Sequence, residues 1–130
     1  MSFILKFHGE LRWLVALVAV LAIGKFGLGW LRRATFQGAD RALMAAFTGL
    51  LDLNLLLGLI LLFGLGGGWP APRIEHATTM ILAIVVAHSA AMWRRSDDSV
   101  KKFRNNLIVV VVATALVVVG VIRLRGGWVF

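Results

Sequence analysis

Residues 107–122 read Leu-Ile-Val-Val-Val-Val-Ala-Thr-Ala-Leu-Val-Val-Val-Gly-Val-Ile. In water such a valine-rich run would suggest a buried strand. It shows no alternation of polar and apolar residues, so no half-buried strand or barrel wall is written into it. In a bilayer the backbone must satisfy its own polar groups, and only helices and closed barrels do so. The run therefore predicts a transmembrane helix. Spanning the hydrocarbon takes roughly 20 residues, so residues at either end must join it.

Three more segments fit the same reading. They run from about Leu11 to Leu31, from about Leu43 to Leu65, and from about Ile74 to Trp93. Hydrophobic residues make up 60% of the 130-residue chain, an excess over soluble domains that lies in these long runs. Tryptophan marks the segment ends, as interfacial belts do. Trp13 and Trp30 bracket the first, Trp69 and Trp93 close the second and third, and Trp128 follows the fourth. Gly66-Gly67-Gly68-Trp69-Pro70-Ala71-Pro72 predicts a turn between the second and third. The expected fold is all-α, a single transmembrane domain over residues 1–130 built as an up-down-up-down four-helix bundle. Ala83, Ala87 and Ala91 recur every four residues, and Gly24, Gly27 and Gly58 are small, so these positions are expected to allow close packing.

Charge gives the orientation. Arg32, Arg33, Arg41, Arg94, Arg95, Lys101, Lys102 and Arg104 follow the first and third segments, against Lys6, Arg12, Arg73, Arg123 and Arg125 on the other side. The first set is expected to be cytoplasmic, with both termini outside. The net charge of +8 is thus read as topology rather than as a nucleic-acid surface. A cleaved signal peptide is the alternative for the first 30 residues, but Gly-Trp-Leu-Arg-Arg at positions 29–33 is a poor cleavage site. Cysteine is absent, which excludes disulfides, thiolate metal sites and covalently attached haem. No nucleophile–base motif or phosphate loop is present, so an enzyme acting alone is not expected.

Polar residues inside lipid need a partner or a task. His8 and Glu10 enter the first segment, and Glu75 and His76 enter the third from the same side. His8 and His76 should lie at similar depth, where they could ligate one haem iron or rest as interfacial histidines beside the glutamates. A zinc or copper site at these four residues lacks a spacing motif. Lys25, Asp52 and His88 could form a buried polar cluster, either holding helices together or lining a proton or ligand path. Asn54, two residues beyond Asp52, should face elsewhere.

His8-Gly9-Glu10-Leu11-Arg12-Trp13, Asp52-Leu53-Asn54-Leu55-Leu56-Leu57-Gly58, and Arg73-Ile74-Glu75-His76 with Met80 and His88 together resemble small bacterial four-helix membrane proteins of the cytochrome b-like (b561-like) type. The resemblance implies b-haem held by His8 and His76, with Arg12 and Glu75 tuning the haem or pairing with its propionates. It implies electron transfer in the bacterial inner membrane, as a subunit or anchor of a respiratory or photosynthetic-type complex, with quinone among candidate partners. A two-haem b561-type protein uses four histidines, and this chain has three. The competing expectations are a cofactor-free accessory subunit and a small transporter or channel subunit.

Overall fold

The computed structural model describes residues 2–64, 68 and 70–125, with side chains to Ile122. Within them the chain forms four long helices: α1 Ser2–Leu31, α2 Gly38–Gly64, α3 Ala71–His88 and α4 Ser99–Arg125, with a 3-10 turn at Ser89–Trp93 extending α3. Each is long and apolar enough to cross a membrane. Trp69, Trp128 and two glycines of the expected turn, Gly66 and Gly67, lie outside the described residues.

The helices are longer than the apolar runs. α1 starts nine residues before Leu11, and α4 starts eight before Leu107, because backbone hydrogen bonding carries a helix through polar residues beyond its apolar run. Asp98 caps α4, its Oδ1 accepting from the Lys101 amide at 3.1 Å. The last residues of the third segment narrow to a 3-10 turn instead of continuing as α-helix. α1 ends in a Schellman motif, with the Ala34 amide bonded to the Gly29 carbonyl at 3.0 Å and the Arg33 amide to that of Trp30 at 3.2 Å. The left-handed position of that motif, normally glycine, is Arg33 at φ 51°.

The helices close into a ring in which α1 packs on α2 and α4, and α3 packs on α4; the α2–α3 seam is the loosest. Val15, Ala19, Ala22 and Phe26 form the buried stripe of α1, and Phe103, Val110, Ala113 and Val117 that of α4. Met44, Phe47 and Leu51 complete it from α2, and Ala83 and Ala87 from α3. Outside these stripes large apolar residues are exposed all round, including Leu17, Val20, Leu56, Phe63 and Val85. That is the pattern of helices solvated by lipid.

Ala83 and Ala87 pack closely as expected, whereas Ala91 is exposed. Nothing lies within 4 Å of a side chain built at Gly24 or Gly27. The close approach on α1 is at Gly29, where a Cβ would overlap the Phe103 ring. Phe26, Phe36 and Phe103 cluster there in tilted and edge-to-face contacts, with centroids 5.0–6.3 Å apart, and the Phe36 amide donates to Ser99 Oγ at 3.0 Å.

Candidate functional site

α1 and α3 begin at the same end of the ring, so His8 and His76 enter from diagonal helices at one level. Their ring centroids are 6.4 Å apart and their planes are nearly perpendicular, at 87°. Each has a local reason for its place. Gly58 on α2 leaves room for the His8 ring: a Cβ there would stand 3.1 Å from His8 Cε1. His76 Nδ1 lies 2.9 Å from the Gly120 carbonyl. A carbonyl only accepts, so Nδ1 carries the proton and donates, and Nε2 keeps its lone pair in the neutral ring.

Both imidazoles line a cavity of about 360 Å³ between the helices. That is within the usual size of small-molecule sites. Its walls are mostly apolar, among them Val15, Leu55, Ile84 and Val117. Arg12, Arg73 and Asn54 supply polar groups, and Met80 flanks His76. Arg12 is buried, its Nη1 donates to the Gly9 carbonyl at 2.8 Å, and its guanidinium lies 5.2 Å from the Trp13 ring centre. Asn54 Oδ1 is buried with no hydrogen-bond partner among the described residues, which is the mark of a polar group awaiting a ligand.

The pair can be tested against haem. Two imidazoles bonded to one metal at about 2 Å each place their ring centres about 6 Å apart. The 6.4 Å separation is that of such a pair and equally that of a direct edge-to-face ring contact, and the His76 Nδ1–H bond to a carbonyl is of the kind that fixes a metal-bound histidine. Among the described residues no three or more His, Cys, Asp or Glu side chains converge for a metal. His8, Glu10, Glu75 and His76 are therefore not a four-ligand set.

One expectation needs correction. Glu75 is exposed and does not line the cavity; Arg73 does. Glu75 is one residue from His76, so it points about 100° away around the helix. Asn54 faces away from Asp52, as its two-residue offset predicts, and that direction brings it into this cavity. Only the packing of α2 against α1 selects that face. The unsatisfied amide inside an apolar run was the available signal.

The cluster of Lys25, Asp52 and His88 divides in two. Lys25 Nζ meets Asp40 Oδ1 at 2.6 Å, with Asp40 buried at 2% exposure. Asp40 Oδ2 also accepts from the Gln37 amide at 3.0 Å, half of a capping box at the start of α2. The short turn after α1 sets Lys25 against this first turn. Asp52 lies twelve residues, about 18 Å, farther along, beyond the reach of a lysine stem. Asp52 instead pairs with His88, whose Nε2 is 2.8 and 3.0 Å from the two carboxylate oxygens. This pair bridges the loose α2–α3 seam and is not buried within the chain, its side chains being 47% and 55% exposed.

No family model, curated protein or solved structure matches the chain. The described architecture is that of a small four-helix membrane bundle, and no match extends the cytochrome b-like resemblance beyond that.

Proposed function

We propose that this bundle holds one b-type haem between His8 and His76 and serves as an electron-transfer component of a membrane complex. The observation that carries this reading is the pair itself: two imidazoles with ring centres 6.4 Å apart, both lining one mostly apolar cavity, one with its Nδ1 proton engaged by Gly120. Haem would supply one-electron chemistry at a potential set by its axial ligands and surroundings. The protein's share is orientation and electrostatics. His8 and His76 hold the iron, Gly58 keeps space for the His8 ring, and the leucine and valine walls exclude water. Arg12 and Arg73 offer guanidinium groups suited to propionate carboxylates. The chain's partners in this reading are lipid, neighbouring subunits of a respiratory or photosynthetic-type complex, and a quinone as electron donor or acceptor. Its place is the bacterial inner membrane, with the His8–His76 end outward.

One observation favours a role as a subunit in either case. A half-exposed Asp52–His88 pair lies near the middle of α2, within a helix long and apolar enough to cross a membrane. Such groups are costly in lipid and are usually covered by protein. A cofactor-free accessory subunit would share this feature and would leave the cavity to another ligand.

The test is a reduced-minus-oxidised visible spectrum of the detergent-purified protein, beside His8→Ala and His76→Ala. A b-type α band present in the parent and lost in both variants is the expected result. A colourless, folded parent after expression with added haem precursor overturns the haem assignment.

A further inference from the structure

At the opposite end of the bundle a second cavity, of about 140 Å³, lies where α2, the 3-10 turn and α4 meet. Its charged lining is one-sided. Arg41 comes from α2, Arg94 from just past the turn, and Lys102 from the first turn of α4. No carboxylate lines it among the described residues. Of the nearby acids, Asp98 caps α4, Asp40 holds Lys25 and Asp52 holds His88, while Asp97, exposed in the loop before α4, does not line the cavity. Lys102 is positioned rather than free, its ammonium 5.3 Å from the Phe36 ring centre. Trp93, also in the lining, is a residue type that sits at headgroup depth.

Topology alone asks only for cations in the loops and does not require three of them around one concavity. Arg95 and Lys101, the sequence neighbours of Arg94 and Lys102, satisfy the charge bias from outside it. The cavity continues inward to His88, which lines it and crosses the seam to Asp52. Beyond that pair, Leu56, Ile81 and Val85 are exposed on the α2 and α3 faces flanking the seam. A cationic cup at one end of the bundle, with exposed apolar residues farther along the loosest helix pair, suits one kind of molecule.

We propose that this cup binds the phosphate of an anionic phospholipid, with an acyl chain lying along the α2–α3 seam. Arg41 and Arg94 supply planar donors to the phosphate oxygens, and Lys102 supplies a point charge. Basic pockets between transmembrane helices on the cytoplasmic side take lipid headgroups by this chemistry.

The experiment measures the thermal unfolding midpoint of the detergent-purified full chain by tryptophan fluorescence. It titrates dioleoylphosphatidylglycerol, dioleoylphosphatidylcholine or inorganic phosphate. Phosphatidylglycerol is expected to raise the midpoint saturably, with the other two producing no comparable shift. In Arg41→Gln/Arg94→Gln the apparent affinity should fall about fivefold for each cation removed. Arg95→Gln/Lys101→Gln, with the same charge change on the same face, should keep the parent's response. An equal shift with phosphatidylcholine, or an equal loss in both double variants, overturns the site. An equal shift with inorganic phosphate retains the anion cup but overturns the lipid. If the Arg41/Arg94 variant does not fold, the single Lys102→Gln variant carries the same comparison.

Discussion

Replacing Asp40 with alanine tests how the first two helices are joined. Three interactions end with that carboxylate. Its Oδ2 accepts the Gln37 amide at the start of α2, and loss of such a cap costs about 1 kcal/mol. Its charge in the first turn of α2 contributes about 0.5 kcal/mol through the helix dipole. Its ion pair with Lys25 spans 2.6 Å, but the lysine side chain is 49% exposed, so screening limits the pair to about 1 kcal/mol. Asp40→Ala should therefore destabilise the bundle by about 2–3 kcal/mol. Asp40→Asn keeps a side-chain acceptor and should cost only about 1–1.5 kcal/mol. The assay is reversible unfolding in mixed micelles titrated with dodecyl sulfate, followed by tryptophan fluorescence. A double-mutant cycle with Lys25→Met isolates the pair, and its coupling should be about 1 kcal/mol with Asp40 and near zero with Asp52. A cost below about 0.5 kcal/mol for Asp40→Ala, or a larger coupling of Lys25 to Asp52, would refute the reasoning.

Gly58→Val should push the His8 ring from its place; the haem band should weaken while helix content by circular dichroism stays unchanged, and an undiminished band would count against Gly58 as the cradle. Gly29→Leu forces a side chain into the Phe103 ring and should cost about 1–3 kcal/mol or more in the same micelle assay. Arg33→Gly should stabilise the chain by about 1 kcal/mol, because only glycine adopts the left-handed cap without strain. For Asp52 and His88, the single variants Asp52→Leu and His88→Leu should each lose about 1 kcal/mol. The double Leu variant should be at least as stable as either single one, and strictly additive losses would show that the two side chains do not act as a pair.

Much of this architecture is written locally. Runs of leucine and valine too long for a soluble core demand four crossings, since a bilayer offers no other partner for the backbone. His8 and His76 each lie close to the start of a segment entered from the same side, so their common level follows from antiparallel threading alone. Their 6.4 Å approach does not. It depends on the ring order of the helices and on Gly58, and a glycine in an apolar run does not announce which neighbour it admits.

Where helices are apolar on nearly every face, hydrophobic periodicity cannot choose the inward side. This is why Asn54 could not be assigned to the cavity, nor Gly29 rather than Gly24 or Gly27 to the tight crossing. Polar pairing is decided the same way. Lys25 was expected with Asp52 and His88, and the short turn after α1 brings Asp40 to it instead, leaving Asp52 to His88. The sequence by itself determined the solvent, the number of helices and the end at which each histidine sits, because those follow from composition, length and chain direction. The tertiary structure decided which faces meet, and with them the partners of Lys25, Asp52 and His76, because side-chain pairing depends on helix rotation and axial offset, which packing alone sets.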